Sequence, residues 1–271
     1  MTPTRREAMS LAVCSVCRGQ NPAGILDLPP VPSDARIAYG SLPSQFADLR
    51  LPATKPPHRL VIVIHGGFWK AAYNLDHIGH LCAALTAAGV ATWSLEYRRI
   101  GDPGGGWRGT FDDVVLGAQA LRDAARKYNL DLAHVAATGH SAGGHLALYL
   151  AAMSNISLRG VTALAPVADL RRAYELRLSN GIVEKLLGGT PDQAPERYRS
   201  TSPIEMLPIG VPQTLVHGSA DTVVPIELSE RFTAKSPNAK LIRREGAGHF
   251  ELIDPRTPQW GEVCQAILGT L

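Results

Sequence analysis

The chain alternates short apolar runs with segments of helical periodicity. Branched apolar residues fill positions 60–64, and similar runs recur toward the C-terminus. Runs of this length, bounded by glycine and polar residues, are typical of strands that are buried on both faces. The stretches between them show the three- and four-residue spacing of helices. We predict strands at residues 60–64, 90–95, 135–138, 160–165, 213–217 and 240–243, and helices at 75–88, 110–128 and 146–153, with Thr110 or Asp112 capping the second.

Strands and helices that alternate in this way are joined by right-handed crossovers, which produce a mostly parallel sheet with helices on both faces. Two further strand patterns, at residues 36–39 and 45–51, are separated by a turn at 42–44. We expect this pair to form an antiparallel edge of the sheet. The predicted fold class is therefore α/β.

Two segments stand apart from this alternation. Residues 1–34 include four prolines between positions 22 and 32, which indicates an extended N-terminal arm. The stretch between the strand at 160–165 and the next strand at 213–217 is much longer than an ordinary crossover needs. We expect one domain at residues 35–271, with a small cap insertion at about 167–208 that covers its site.

The bulk composition narrows the class of protein. The 271 residues are 45% hydrophobic, enough for one large core. The 27 basic and 24 acidic residues form no basic run, so we expect no nucleic-acid binding. The sequence contains no run of 18 apolar residues, so we predict no membrane-spanning segment. Arg5 and Arg6 precede a short apolar stretch that faintly resembles an export leader but stops at Arg18. A cytoplasmic location is therefore favoured, with secretion or a periplasmic location as the alternative.

Two pairs of residues have spacings that metal sites use. Cys14 and Cys17 lack the second pair that would complete a zinc site. His77 and His80 are three residues apart on a predicted helix but have no third ligand nearby in sequence, which favours a solvated helix face. No dinucleotide or phosphate-binding glycine pattern occurs. We therefore predict no metal and no cofactor.

The most informative motif is Gly139-His140-Ser141-Ala142-Gly143, which lies between a predicted strand and a predicted helix. This order describes a serine on a strained turn, with its hydroxyl presented above the sheet. The two glycines are needed because the turn leaves no room for a side chain two residues before or two residues after the serine. Ser141 is the candidate nucleophile.

A serine hydroxyl needs a base at neutral pH, and His249 follows the last predicted strand in a loop. Asp221 follows the strand at 213–217 and can hold the imidazole in the useful tautomer. Glu251 and Asp254 are alternative carboxylates, but they follow the histidine locally rather than approaching from a neighbouring strand. The order serine, aspartate, histidine is that of an α/β-hydrolase.

A further motif, His65-Gly66-Gly67-Phe68-Trp69, directly follows the strand at 60–64, and Glu96-Tyr-Arg-Arg99 follows the strand at 90–95. With the motifs above, they make the chain from residue 60 onward resemble α/β-hydrolases of the His-Gly-Gly-x-Trp type. These include arylformamidases (kynurenine formamidases) and small bacterial carboxylesterases, feruloyl-type esterases among them.

The resemblance implies the α/β-hydrolase fold and several site residues. The backbone amides of Gly66, Gly67 and Ala142 would form the oxyanion hole. Side chains beside the serine would bind substrate, and the candidates are Phe68, Trp69, His140 and Phe250. His65 would fix its loop by hydrogen bonding.

These observations predict a serine hydrolase that cleaves small aryl or short-acyl carboxylic esters through an acyl-enzyme on Ser141. An arylformamidase acting on formamides such as N-formylkynurenine would use the same machinery. A ligand receptor that keeps the fold without catalysis is the alternative from another class. The partner is a small-molecule ester or formamide in the first two cases, and a homodimer is left open.

Overall fold

The fold is known from a computed structural model that describes residues 24–153 and 157–271. Cys14, Cys17, the leader-like stretch and most of the predicted arm lie outside these residues. The described residues form an eight-stranded sheet with the order β1-β2-β4-β3-β5-β6-β7-β8. Its strands are β1 (Ala35–Ala38), β2 (Phe46–Arg50), β3 (His58–Ile64), β4 (Ala91–Leu95), β5 (Leu130–His140), β6 (Val161–Leu164), β7 (Gln213–Gly218) and β8 (Ala239–Arg244).

The pairing of the strands confirms the predicted topology. β1 pairs with β2 and β2 with β4 in antiparallel fashion, whereas the six strands from β4 to β8 in the sheet order, β4, β3, β5, β6, β7 and β8, run parallel to one another. The antiparallel edge therefore lies where the sequence places it. The helices are α1 (Gly79–Ala87), α2 (Gly109–Gln119), α3 (Leu121–Tyr128), α4 (Ala142–Met153), α5 (Leu170–Glu175), α6 (Leu178–Leu187), α7 (Pro195–Thr201), α8 (Glu227–Lys235) and α9 (Trp260–Leu268).

β3 shows how the core is divided. Leu60, Ile62 and Ile64 pack into one hydrophobic layer with α2, α3 and α4, while Val61 and Val63 pack into a second layer with α1 and α9. All five side chains are fully buried. This confirms a parallel strand covered on both faces, because side chains of a strand alternate between the two sides of the sheet.

The predicted helix at 110–128 is interrupted at Ala120, where α2 ends and α3 begins. The predicted caps are wrong, because α2 begins at Gly109 without a side-chain cap. The Thr110 hydroxyl instead donates to the Arg98 carbonyl at 2.5 Å and accepts from the Gly106 amide at 3.0 Å. Thr110 therefore ties down the glycine-rich loop before the helix.

The insertion between β6 and β7 contains α5, α6 and α7. The Thr201 carbonyl accepts a hydrogen bond from Nε2 of His145 on α4 at 2.9 Å, and the Leu186 carbonyl accepts one from the Trp107 amide at 2.8 Å. The insertion is thus packed against α4 and the loop before α2. Among the residues that the structure describes, no helix has the length and apolar character needed to cross a membrane.

Candidate active site

Ser141 lies on a tight turn between β5 and α4. β5 ends at His140 and α4 begins at Ala142, while Ser141 itself has a φ of 58°, in the left-handed region. The turn passes so close to β3 that a Cβ atom on Gly143 would lie 2.0 Å from the Ile64 carbonyl oxygen. Only glycine fits this approach. The structure therefore contains the strand-to-helix turn that the motif predicts.

Asp221 and His249 meet beside this turn. The Asp221 Oδ2 atom accepts a hydrogen bond of 2.6 Å from Nδ1 of His249. The other oxygen, Oδ1, accepts the amides of Val223 at 2.8 Å and Val224 at 2.9 Å. Asp254, the alternative carboxylate, pairs with Arg256 instead.

The environment of Asp221 keeps it ionised. Burial by itself raises the pKa of this carboxyl, but hydrogen bonds from His217 and His249 outweigh burial and hold the pKa well below its ordinary value. Because an ionised carboxylate only accepts hydrogen bonds, the proton between the two residues belongs to Nδ1 of His249. Nε2 of His249 is therefore the ring nitrogen left for a neighbouring hydroxyl.

His217 supports this carboxylate, although its sequence position suggests no such role. Its Nε2 atom donates to the Val224 carbonyl at 2.9 Å and lies 3.4 Å from Asp221 Oδ2. Its Nδ1 atom accepts from the Ser229 hydroxyl at 2.7 Å, and the ring is fully buried. His217 thus fixes the turn that carries Asp221.

His140, the residue before Ser141, holds the loop that carries His249. Its Nε2 atom donates to the His249 carbonyl at 2.9 Å, and the two rings lie 4.4 Å apart between centroids. Burial, and to a lesser degree the nearby His249, lower the pKa of His140 well below its ordinary value. His140 is thus a neutral donor that ties the serine turn to the histidine loop.

The three residues predicted to form an oxyanion hole lie close to Ser141. Gly66 and Gly67 follow β3, and Ala142 is the first residue of α4. In the described part of the chain, the amides of these three residues have no protein acceptor. A Cβ atom on Gly66 would lie 2.8 Å from the His140 carbonyl oxygen, so the glycine loop packs directly against the serine turn. Free amides at a helix N-terminus and a glycine loop suit a developing oxyanion.

A buried polar cluster fixes the glycine loop. His65 is bonded through both ring nitrogens, with Nε2 3.0 Å from Glu96 Oε1 and Nδ1 2.8 Å from the Gly66 carbonyl. The Tyr97 hydroxyl donates to the His65 carbonyl at 2.9 Å. Burial raises the pKa of the Glu96 carboxyl, but His65 and Arg99 outweigh it and hold that pKa below its ordinary value. The predicted anchoring of this loop by His65 is therefore present, with Glu96 as its partner.

Ser141 and His249 line one cavity of about 110 Å³ at the carboxyl ends of the parallel strands. The predicted binding residues Phe68, His140 and Phe250 also line it. The complete lining is Leu26, Gly67, Phe68, Tyr73, His77, His140, Ser141, Val223, His249 and Phe250.

Two expectations about this cavity need correction. Trp69 is not among its lining residues, because the ring is fully buried and packs against His145 at 5.1 Å between centroids. No residue of the predicted cap at 167–208 lines it either. Phe68 and Trp69 both have positive φ, at 50° and 55°. This turn allows the Phe68 ring to line the cavity while the ring of Trp69, the next residue, lies in the core.

His77 lines the cavity, contrary to the expected solvated helix face. Burial, followed by the nearby His65, lowers the pKa of His77 to about 3, so the ring is neutral at neutral pH. His80 points elsewhere, and its Nε2 atom lies 3.0 Å from the Pro29 carbonyl. His77 lies in a short 3₁₀ helix, Leu75–Ile78, and His80 lies at the start of α1, so the expected common helix face is not formed.

The parallel sheet, the serine turn and the bonded aspartate and histidine define the class of this protein as an α/β-hydrolase. The BD-FAE family matches residues 47–235, well over half of the chain. The chain belongs to the BD-FAE family.

Individual proteins and solved structures are also similar to this chain. Esterase LipC of Mycobacterium tuberculosis is 27% identical over 244 residues, which cover 81% of this chain and 60% of LipC. The chain thus spans less than two thirds of that relative. Among solved structures, esterase B from Lactobacillus rhamnosis aligns with a TM-score of 0.76 and 24% identity, covering 91% of this chain and 89% of that one. A truncated carbohydrate esterase from gut microbiota aligns with a TM-score of 0.74 and 22% identity, covering 92% and 99%.

The serine turn should be intolerant of the smallest added side chain. We expect Gly143→Ala to lower the free energy of unfolding by about 2 kcal/mol or more, because its Cβ atom would collide with backbone of β3. Gly261→Ala is the matched control, because Gly261 is at an exposed position of α9 and a Cβ atom there would meet nothing within 4 Å. Urea unfolding should show the control at or above the parent's stability. Equal effects of the two substitutions would contradict the close approach.

The substitution Asp221→Asn tests whether the charge of the Asp221 carboxylate, and not only its position, is needed to hold the proton on Nδ1 of His249. The asparagine amide would donate to Nδ1 of His249 and move the ring proton to Nε2, the wrong position for accepting one from Ser141. We expect kcat for an ester such as p-nitrophenyl acetate to fall by about 10³- to 10⁴-fold. Asp254→Asn, which changes the carboxylate paired with Arg256, should retain activity within a few-fold. The reverse ranking would make Asp254 the partner of His249.

Proposed function

We propose that this protein is a serine esterase that hydrolyses carboxylic esters with a short acyl group through an acyl-enzyme on Ser141. The observation that carries the proposal is the 2.6 Å hydrogen bond from His249 to Asp221, together with the cavity that both His249 and Ser141 line. The names of its relatives, esterase LipC and esterase B, favour esters over other substrates.

The reaction follows from the positions of these groups. The Ser141 oxygen attacks the ester carbonyl carbon while its proton passes to Nε2 of His249. The carbonyl oxygen becomes negative and is stabilised by the amides of Gly66, Gly67 and Ala142, each worth about 3 to 4 kcal/mol in comparable sites. The intermediate collapses, and the alcohol leaves with the proton from His249. Water, deprotonated by the same histidine, then attacks the acyl-enzyme and releases the carboxylic acid and free Ser141.

The size of the cavity supports a short acyl group. Its volume of about 110 Å³ is smaller than the roughly 150 Å³ of an engineered cavity known to hold benzene. An acetyl to butyryl group suits this space better than an aryl acid. Phe68, Val223 and Phe250 supply apolar contacts for the acyl chain.

Arylformamidase activity is the second candidate, because formyl is the smallest acyl group and fits the same cavity. Side-by-side kcat/KM values for p-nitrophenyl acetate and N-formylkynurenine decide between the two. A formamide preference of about a hundredfold or more, nearly 3 kcal/mol of transition-state binding, would replace the ester proposal.

Labelling by a fluorophosphonate probe tests for an activated serine. The probe should attach to the parent protein because His249 activates Ser141, and labelling should vanish in Ser141→Ala. Peptide mass spectrometry locates the adduct. A folded protein that binds aromatic ligands but ignores the probe would support the non-catalytic receptor instead.

The acyl preference is measured with p-nitrophenyl esters of acetate, butyrate and octanoate, which share one leaving group. We expect kcat/KM to be at least about tenfold higher for the acetate or butyrate than for the octanoate, because the longer chain exceeds the cavity. A preference for octanoate would show that the acyl group is bound elsewhere.

A further inference from the structure

A second cavity adjoins the one that contains Ser141. Its volume is about 460 Å³, against about 110 Å³ for the first. Three residues, Leu26, Tyr73 and His77, line both cavities and therefore form the boundary between them. Leu26 and Tyr73 are also 46% and 43% exposed, so this boundary is accessible from solvent.

The N-terminal segment forms one wall of the second cavity and is fixed in place on both sides of Leu26. Ile25, immediately before it, is 4% exposed and packs in the core layer of α1 and α9. After it, the Pro29 carbonyl is held by His80, and the Val31 carbonyl accepts a 2.6 Å hydrogen bond from Arg50 Nη2. Leu26 is therefore a positioned wall residue rather than part of a loose tail.

The chemistry of an acyl-enzyme assigns the two cavities to the two halves of an ester. The acyl group stays bonded to Ser141 after the first step, so it must occupy the space beside the serine. The alcohol must leave before water attacks, and the second cavity, which does not include Ser141, offers it separate space. The larger cavity is then the one that binds the alcohol half of the substrate.

The second cavity is lined by both apolar and polar groups, including Asn74 and His77. Leu26, Leu28 and Pro30 provide apolar contacts, and the ring of Tyr73 provides an exposed aromatic surface. Asp76 lies at the same cavity, and its carboxylate disfavours an anionic group there. A neutral alcohol with a ring fits both features.

Given the proposed esterase function, we infer that the second cavity binds the alcohol half of the substrate, a neutral ring-bearing alcohol, and that Leu26 is a specificity-determining residue. The preferred substrates are thus short-acyl esters of such alcohols. The N-terminal segment, outside the residues that the family matches, contributes directly to selectivity.

Two ester series separate the halves of the substrate. Ethyl acetate and benzyl acetate share the acyl group and differ in the alcohol, whereas ethyl acetate and ethyl hexanoate share the alcohol. We expect Leu26→Ala to lower kcat/KM for benzyl acetate about fivefold, mainly through KM, and for ethyl acetate less than twofold. Val223→Ala enlarges only the first cavity. It should therefore change the ratio of kcat/KM for ethyl hexanoate to kcat/KM for ethyl acetate (the hexanoate ratio). It should leave the ratio of kcat/KM for benzyl acetate to kcat/KM for ethyl acetate (the benzyl ratio) unchanged.

A filling substitution and a matched control complete the test. Ala72 lines only the second cavity and is exposed, so Ala72→Trp should lower kcat/KM for benzyl acetate about tenfold while sparing ethyl acetate. Leu116→Ala, on α2, removes a leucine that is also 46% exposed and should alter neither ratio. In the parent, 4-carboxybenzyl acetate should be a poorer substrate than benzyl acetate, and Asp76→Asn should narrow that difference.

A Leu26→Ala effect on the hexanoate ratio instead of the benzyl ratio would overturn the assignment, because the acyl group would then extend into the second cavity. Unchanged ratios for both Leu26→Ala and Ala72→Trp would overturn it as well. Failure of the esterase proposal itself has a different signature, since the parent protein would then hydrolyse none of these esters.

Discussion

The close contact between two stretches of backbone, after β3 and after β5, is the constraint on which the site depends. These strands are parallel neighbours, with Ile64 opposite Gly139, so both chains leave the sheet at the same level. Gly143 then passes against the Ile64 carbonyl, and Gly66 passes against the His140 carbonyl. Because side chains are excluded from both contacts, the glycine amides and the serine are brought into one small volume. The proposed nucleophile and the proposed oxyanion donors are therefore held by the same backbone contact.

Buried polar groups hold the rest of the site around this contact. Glu96 is hydrogen-bonded to His65 beneath the glycine loop, and Asp221 contacts two histidines and two backbone amides beneath the loop of His249. Removing a hydrogen-bond partner from either carboxylate would leave a buried charge with less compensation, which is strongly destabilising. Such clusters position the loops that follow the strands and keep them in a single arrangement. His140 extends this function, since its hydrogen bond joins the serine turn to the loop of His249.

Much of this arrangement could be predicted from sequence, because it depends on local patterns. Apolar runs give the central strands, and the glycines around Ser141 reveal a turn that other residues cannot form. The placement of Asp221 and His249 after the strands that became β7 and β8 predicts their convergence, since parallel strands end at the same edge of a sheet. These features are short-range, or follow from the topology alone.

The parts that sequence did not reveal depend on tertiary packing. Trp69 was predicted to line the cavity, yet its ring lies in the core beside His145. The length of the insertion suggested a cap, but length does not determine which side of the sheet a segment covers. Leu26 is contributed by a proline-rich segment that is distant in sequence from every motif. His77 was predicted to face solvent, because the sequence around it does not indicate which loops pack against it. Only the fold brings Leu26 and His77 to the cavity of Ser141.

The most direct measurement is a crystal structure of the protein inhibited by a small alkyl phosphonate ester, because its tetrahedral phosphorus resembles the intermediate of ester hydrolysis. The account predicts phosphorus bonded to Ser141 Oγ and a phosphoryl oxygen within hydrogen-bonding distance of the Ala142 amide and of an amide from Gly66 or Gly67. Nε2 of His249 should lie within hydrogen-bonding distance of Oγ or of the leaving-group oxygen. A phosphoryl oxygen turned away from these amides, or phosphorus bonded to a different residue, would contradict it.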